Sequence, residues 1–167
     1  APAGLDPLAL QPVYGLAEAT LTVTAPPLGE RAEPLSLDRA ALSAGSAVAA
    51  RPGADAAEFM DLGHPVPGCA VRIVDTARIP LPDGRVGHIE VSGPNVARGY
   101  HRDPAATAES FVDGWVRTGD IGFLRHGRLC VTGRAKDVVF VNGATFHASD
   151  LEAVAAATPG LPAGPCA

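Results

Sequence analysis

"TGDIGFLRHGRLCVTGRAKD", residues 118–137, holds two short apolar segments on either side of His126-Gly127. A glycine-containing pair between two β-prone runs is typical of the turn of a β-hairpin. We therefore predict a hairpin from Ile121 to Thr132, and its open end should bring the charged residues that flank it together.

Those flanking residues are a carboxylate and a cation. Asp120 precedes the first strand of the hairpin and Arg134 follows the second. A carboxylate can accept hydrogen bonds from both hydroxyls of a ribose, and a guanidinium offers a rigid fork of donors to ribose or phosphate oxygens. In the alternative interpretation, Asp120 only ends a strand at a turn, and Arg134 forms a surface ion pair with Asp137.

Further short strands surround the hairpin. The segments AVRIVD at 70–75 and GHIEVSG at 87–93 are β-prone, and the turn sequences PDGR and RHGR separate the strands. One short helix is predicted after Asp103, a good N-cap, because Pro104 suits the first helical position. Many short strands with few helices indicate a mixed α/β (α+β) chain that contains a small barrel or sandwich.

The N-terminal third gives weaker signals. We expect a loop at 15–18 between two strands and a surface connector over 25–58. Within the connector, the pattern at 37–42 predicts one short helix that Ser36 caps.

The sequence starts a new unit after the hairpin. An apolar strand is predicted to follow Asp137 and to end at Asn142-Gly143. A helix capped by Ser149 comes next, and the residues after it are rich in proline and glycine.

Composition narrows the class of protein. Of the 167 residues, 47% are hydrophobic, which is typical of a globular chain. The net charge of -5 argues against a nonspecific nucleic-acid surface, and no apolar run is long enough for a membrane span. Three cysteines without a CxxC pair suggest neither a disulfide framework nor a zinc knuckle, so we expect a reducing, cytoplasmic setting.

A second group of candidate ligand-binding residues lies in YGLAEAT, residues 14–20. An aromatic ring such as that of Tyr14 can stack on a nucleobase, Gly15 allows close approach of the backbone, and Glu18 can offer hard oxygen ligands to Mg²⁺. Without further context, Tyr14 could equally be a half-buried strand residue with its hydroxyl in water, and Glu18 a solvated side chain.

Five segments of the chain, taken in order, resemble the motifs of the adenylate-forming superfamily, and YGLAEAT is most similar to the fatty acyl-AMP ligase branch. The resemblance implies the end of an N-terminal adenylation domain with a small distorted β-barrel subdomain, plus the start of a mobile C-terminal domain. The segments are QPVYGLAEAT (11–20), GHPVPGCAVRIVD (63–75), GHIEVSGPNVARGYHRDPAATAESF (87–111), GWVRTGDIGFL (114–124) and GRAKDVVFVNG (133–143).

The resemblance also implies a division of the chain into three regions. Residues 1–60 match the late N-terminal adenylation subdomain and a connector, and residues 61–135 match the small β-barrel subdomain. Residues 136–167 match the hinge and an incomplete start of the C-terminal domain. Lys136 matches the hinge position, and Gly143 matches a glycine near the pantetheine path in relatives that use thiol acceptors.

Roles at the nucleotide follow from the same resemblance. The aromatic residue that matches Tyr14 lies against adenine, and the acid that matches Glu18 holds the Mg²⁺ that neutralises the ATP phosphates. The acid that matches Asp120 binds both ribose hydroxyls, and the arginine that matches Arg134 joins it there. The cofactor expectations are therefore ATP and Mg²⁺.

The implied reaction is attack by a carboxylate on the α-phosphorus of ATP, which gives an acyl-adenylate and pyrophosphate. We expect a carboxylic acid substrate, in particular a fatty acid, and an acyl carrier protein as acceptor in lipid, polyketide or nonribosomal peptide biosynthesis. Partners that are nucleic acids are not expected. Such chemistry relies on positioning and charge neutralisation more than on a protein nucleophile.

Two family features have no match in this sequence. The Gly/Ser/Thr-rich phosphate loop and the catalytic lysine are missing, since Lys136 is the only lysine and it matches the hinge. We therefore expect a portion of a ligase that is inactive alone. Two alternatives remain: a module that binds adenine nucleotides without catalysis, and a remnant domain that only folds and contacts a carrier protein.

Overall fold

The described residues form twelve β-strands and the α-helix Pro104–Ser110, with two further helical residues, Val154 and Ala155. The computed structural model describes residues 4–31, 33–38, 56–141, 144–147, 154–155 and 158. In chain order the elements are β1 (Tyr14–Leu16), β2 (Leu21–Ala25), β3 (Pro34–Asp38), β4 (Ala56–Met60), β5 (His64–Pro65), β6 (Ala70–Val74), β7 (Gly87–Ser92), α1 (Pro104–Ser110), β8 (Phe111–Val112), β9 (Trp115–Arg125), β10 (Arg128–Arg134), β11 (Val138–Val141) and β12 (Ala144–His147).

Two antiparallel sheets make up most of this structure. The larger has the order β10-β9-β7-β6, with β8 paired to β9, and the smaller has the order β1-β2-β5. The chain between β4 and β5 joins them, because the Leu62 amide donates to the Leu129 carbonyl at 2.8 Å and the Leu129 amide donates to the Gly63 carbonyl at 2.9 Å. The predicted mixed α/β class with a small barrel-like sheet is thereby confirmed.

The hairpin of β9 and β10 forms as predicted, and its strands are longer than the apolar pattern suggested. Its turn residues His126 and Gly127 have φ angles of 52° and 73°. Two positive φ angles give the turn a twist that matches the twist of paired strands. The His126 amide also donates to Asp83 Oδ2 at 2.7 Å, and the register places Asp120 opposite Arg134.

The apolar core lies between the two sheets, and β7 contributes to it at alternate positions. Ile89 and Val91 are fully buried and pack with Val116 of β9 and Leu129 of β10. Tyr14 and Val23 of the smaller sheet belong to the same cluster. A second cluster consists of Leu37, Ala57, Val86, Phe123 and Cys130.

The residue between Ile89 and Val91 is a buried acid. Glu90 has no exposed surface, and its Oε2 atom accepts hydrogen bonds from Arg72 Nε at 2.9 Å and Nη2 at 2.7 Å. Arg78 Nε lies 2.8 Å from the other carboxylate oxygen. The Arg72 guanidinium also stacks over the Trp115 ring at 4.1 Å from its centroid. Two cations and a ring therefore compensate the desolvation of one carboxylate.

Two predictions for the N-terminal third are wrong. The helix expected at 37–42 begins instead as strand β3, where Ser36 pairs with Glu58; residues 39–42 lie outside the described part. The region expected to be a surface connector contributes the buried residues Leu37 and Ala57 to the core. Packing against a partner strand distant in sequence outweighs the local capping signal of Ser36.

The prediction of a loop at 15–18 is also wrong in part. Gly15 and Leu16 belong to β1, and only the following residues, Ala17–Ala19, leave the strand as a 3-10 turn. A Cβ atom on Gly15 would lie 1.7 Å from the Leu21 carbonyl oxygen. Gly15 therefore allows the backbone of the neighbouring strand β2 to approach closely.

Elsewhere the predicted elements agree with the structure. Asp103 caps α1, since its carboxylate accepts from the Ala106 amide at 2.9 Å. β11 follows the hairpin as expected, and β12 pairs with it, which the sequence did not predict. The expected end of that strand at Asn142-Gly143 and most of the helix after Ser149 lie outside the described residues.

Replacing Glu90 by alanine should destabilise the chain strongly. The variant leaves Arg72 and Arg78 without their buried counter-charge, and breaking such a pair costs about 3–5 kcal/mol. The free energy of unfolding from urea denaturation measures the loss. The control is Glu109→Ala on the exposed face of α1, which should change that free energy by less than about 0.5 kcal/mol. Equal values for the two variants would contradict the role of Glu90.

Candidate nucleotide site

Asp120 lies in an irregular part of β9. β7 pairs with β9 at Arg117 and again at Ile121, but it leaves out the three residues between them. Gly119, with a φ of 80°, supplies the backbone conformation that this bulge requires. The Thr118 hydroxyl fastens the bulge, because it accepts from the Asp120 amide at 3.1 Å and donates to the Ile89 carbonyl at 3.0 Å.

Two side chains from other strands hold the Asp120 carboxylate. The Tyr14 hydroxyl donates to Oδ2 at 2.6 Å, and Arg134 Nε lies 3.3 Å from Oδ1. The carboxylate side chain is 13% exposed, whereas that of Arg134 is 61% exposed. Each carboxylate oxygen can accept a further hydrogen bond, so the group is oriented and still able to bind hydroxyls.

Tyr14 is the buried member of this cluster. Only 8% of its surface is exposed, and it packs in the core with Ala19 and Val23. Burial, together with the hydrogen bond to Asp120, raises the pKa of Tyr14 well above its usual range. The hydroxyl therefore remains a donor throughout the physiological range, and the alternative that places it in water is wrong.

Glu18 lies on the 3-10 turn that follows β1. Its Oε1 atom accepts a hydrogen bond from the Tyr100 hydroxyl at 2.7 Å, and its backbone carbonyl accepts from the Ala97 amide at 2.7 Å. The hydrogen bond between the Tyr100 hydroxyl and the Glu18 carboxylate is the main cause that raises the pKa of Tyr100, and partial burial adds to it. Because Tyr100 is neutral, it orients the Glu18 carboxylate without cancelling its charge.

The other predicted site residues, Lys136 and Gly143, are not among the described contacts of Asp120 or Glu18. Lys136 is exposed on the 3-10 turn Ala135–Asp137, directly after the end of β10. Gly143 lies outside the described residues. The described residues show an ion pair of Arg134 with Asp120, and not the surface pair with Asp137.

Two contributing residues were not predicted from the sequence. Thr118, which fastens the bulge, and Tyr100, which holds Glu18, both lie inside segments that carry the resemblance. A hydroxyl two residues before Asp120 could have indicated the first, because such hydroxyls often cap a turn. No sequence signal links Tyr100 to Glu18, since their contact joins residues 82 positions apart.

A pocket of about 300 Å³ is lined in part by Gly119. Its lining includes His88, Glu109, Arg117 and Ala135. Burial and the positive charge of Arg117 lower the pKa of His88, so this imidazole is neutral near pH 7. The pocket therefore presents mixed donors and acceptors next to the start of the segment that contains Lys136.

Comparison with known proteins decides the family. The model of the family described as AMP-binding enzyme matches residues 5–101, more than half of the chain. The chain belongs to the AMP-binding enzyme family. Glu18 lies inside the matched range, and Asp120 lies beyond it.

Relatives extend the match beyond residue 101. The long-chain-fatty-acid–AMP ligase FadD26 of Mycobacterium marinum is 40% identical over an alignment of 167 positions, which covers 92% of this chain and 28% of that protein. A fatty acyl-adenylate ligase from studies of the E. coli and L. pneumophila enzymes superposes with a TM-score of 0.83 at 34% identity over 95% of this chain and 29% of its own.

A third neighbour is the adenylation domain of a keto acid-selecting NRPS module bound to keto acyl adenylate. Its TM-score is 0.76 at 33% identity, with coverage of 95% of this chain and 30% of that domain. The chain spans less than a third of the length of the curated relatives it matches. Among the described residues, no helix is long and apolar enough to cross a membrane.

Replacing Tyr14 by phenylalanine should weaken the fold and change its response to alkaline pH. At neutral pH the variant loses a hydrogen bond to a charged group, which costs about 1.5–3 kcal/mol. In the unfolded chain Tyr14 ionises near its ordinary pKa of 10.0, whereas the folded state keeps the proton. The stabilisation is therefore complete below about pH 10 and is lost as the pH rises further.

Urea denaturation at a series of pH values tests this expectation. Above about pH 10 the free energy of unfolding should fall less steeply for Tyr14→Phe than for the wild type. The control Tyr100→Phe should change the slope by less, because that residue is 39% exposed. Equal slopes for the wild type and Tyr14→Phe would mean that the buried hydroxyl does not set the alkaline limit.

Proposed function

We propose that the chain is part of an acyl-activating ligase that forms an acyl-adenylate from ATP and a carboxylic acid, in particular a fatty acid. The observation that carries the proposal is the Asp120 carboxylate, held between Tyr14 and Arg134 at the open end of the hairpin. The names of its relatives, fatty acid–AMP ligases and an NRPS adenylation domain, support the acyl-adenylate chemistry.

In this proposal Asp120 binds the ribose of ATP. Its oxygens accept hydrogen bonds from the two ribose hydroxyls, while Tyr14 fixes the plane of the carboxylate. Arg134 is mostly exposed, so its free donors can reach a ribose or phosphate oxygen. Adenine would lie against Gly15 and the small exposed part of the Tyr14 ring.

Glu18 suits the Mg²⁺ that accompanies ATP. It offers a hard oxygen ligand. Its carboxylate accepts one hydrogen bond from the described residues, which the Tyr100 hydroxyl donates to Oε1. When bound, the metal would neutralise charge on the phosphates. This chain's own contribution is to hold the carboxylate still on the turn after β1, through the contacts of Tyr100 and Ala97.

The reaction transfers the adenylyl group to a carboxylate oxygen. A new bond forms between that oxygen and the α-phosphorus. The bond between the α-phosphorus and the oxygen that bridges the α- and β-phosphates breaks, and pyrophosphate leaves with its electron pair. The described residues orient the nucleotide for this step and supply no nucleophile. Positioning alone can account for a large part of such a rate enhancement.

The remaining assignments belong to the longer protein. Lys136 would be the hinge between an adenylating and an acyl-transferring arrangement, Gly143 would line the path of a pantetheine thiol, and a carrier protein would be the acceptor. The division at 1–60, 61–135 and 136–167 is the one that the family resemblance implies, and the cysteine pattern favours a reducing, cytoplasmic setting. An NRPS module among the structural neighbours supports a carrier protein as acceptor.

A module that binds nucleotide without catalysis is the alternative. The same carboxylates would hold the nucleotide, but no adenylate would form even with the remainder of a ligase present. Both a ligase and a binding module should bind the nucleotide, and only the ligase should form the adenylate. Binding is therefore measured first.

Isothermal titration of the chain with a nonhydrolysable acyl-adenylate analogue and Mg²⁺ tests the proposal. We expect saturable binding, and Asp120→Ala should weaken it by about tenfold or more, because each ribose hydroxyl then loses a charged acceptor. The control Glu58→Ala removes an exposed carboxylate on β4 and should bind like the wild type.

Three results separate the possibilities. Binding that Asp120→Ala weakens by about tenfold or more and Glu58→Ala retains supports the ribose assignment. Absence of binding by a chain that melts cooperatively would reject it and favour a remnant domain. Adenylate formation after the missing parts of a related ligase are added would separate the enzyme from a module that only binds.

A further inference from the structure

A loop from the larger sheet is fastened onto the turn that carries Glu18. The residues that connect β7 to α1 place Asn95 against this turn, where its Nδ2 atom donates to the Ala19 carbonyl at 2.8 Å. The Thr20 hydroxyl donates back to the Asn95 carbonyl at 2.8 Å, and the Ala97 amide donates to the Glu18 carbonyl at 2.7 Å. These three bonds involve backbone atoms of the turn or the loop, and none involves the Glu18 carboxylate.

Tyr100 makes the one contact of this loop with the carboxylate. Its hydroxyl donates to Glu18 Oε1 at 2.7 Å. The tyrosine is itself well fixed, since its amide donates to the Thr107 hydroxyl at 2.8 Å and its ring packs edge-on against Phe111 with centroids 5.4 Å apart. A side chain held at its backbone and at its ring can act as a rigid donor.

The geometry points to Tyr100 as a positioning residue for Mg²⁺ binding at Glu18. This inference rests on the proposed function, because it requires Glu18 to be the metal ligand. The hydroxyl occupies Oε1 and leaves Oε2 without a hydrogen bond among the described residues. A neutral donor on one carboxylate oxygen fixes the direction of the other while the negative charge remains available to a cation.

A purely structural role for Tyr100 makes a different prediction. The backbone bonds of Asn95, Thr20 and Ala97 already join loop and turn. If Tyr100 only added to this attachment, removing its hydroxyl would have the same consequences as removing that of Thr20. If Tyr100 positions the carboxylate, only its own hydroxyl affects the metal.

The magnesium dependence of ATP binding distinguishes the two roles. Titration of the chain with ATP, once in EDTA and once in excess Mg²⁺, gives two dissociation constants whose ratio is the magnesium benefit. Tyr100→Phe should reduce this ratio by about tenfold and leave binding in EDTA unchanged. The control Thr20→Ala removes another hydroxyl that attaches the loop to the turn, so it loosens the loop without touching the Glu18 carboxylate. It should keep the wild-type ratio.

Glu18→Gln completes a double-mutant cycle. We expect it to remove most of the magnesium benefit, and the addition of Tyr100→Phe to it should cause no further loss, because the two residues act through one carboxylate. Additive losses would overturn the inference, as would an equal loss in Thr20→Ala or a larger benefit in Tyr100→Phe.

The cycle also separates this inference from the proposed function. If Glu18→Gln retains the full benefit, or if ATP does not bind, the assignment of Glu18 to the metal fails and Tyr100 has no such role. If Glu18→Gln loses the benefit while Tyr100→Phe retains it, Glu18 stands as the ligand and only the role of Tyr100 fails. Thermal melts of all variants identify any that are unfolded.

Discussion

The candidate site depends on one constraint, the bulge in β9 that displaces Asp120 from the ladder with β7. A regular strand would alternate its side chains between the core and the opposite face, and would keep the Asp120 backbone paired with β7. The bulge, made possible by Gly119 and fastened by Thr118, turns the carboxylate toward β1 and the end of β10. Tyr14 and Arg134 can then reach it from two different strands.

The hairpin and its charged ends could be predicted because they are local. Turn chemistry at His126-Gly127 and apolar runs on both sides predict the hairpin and bring its two ends together. A bulge between Val131 and Gly133 then shifts the register by one residue, and this shift places Arg134 opposite Asp120. What could not be predicted depends on distant pairing. Strand β3 has a local sequence that favours a helix, but Leu37 becomes a core residue opposite Ala57, across a long intervening segment.

The same distinction applies to the site. The family resemblance implied that Tyr14, Glu18, Asp120 and Arg134 serve one nucleotide site, yet only the folded chain shows how each is held. The hydrogen bonds of Tyr14 to Asp120 and of Tyr100 to Glu18 join residues 106 and 82 positions apart. No periodicity or turn rule operates over such separations, because these contacts arise from the packing of one sheet on another.

Both tyrosines of the chain are used in the same way, and this has a physical reason. Each donates one hydrogen bond to a carboxylate that is proposed to bind the nucleotide or its metal. An arginine in either position would form a stronger contact, but it would also cancel the charge that a ribose hydroxyl or a cation requires. A phenol fixes the geometry and preserves the charge. Among the described residues, Arg134 is the one cation paired with Asp120, and it is consistent with this principle because it is mostly exposed and water weakens its hold on the carboxylate.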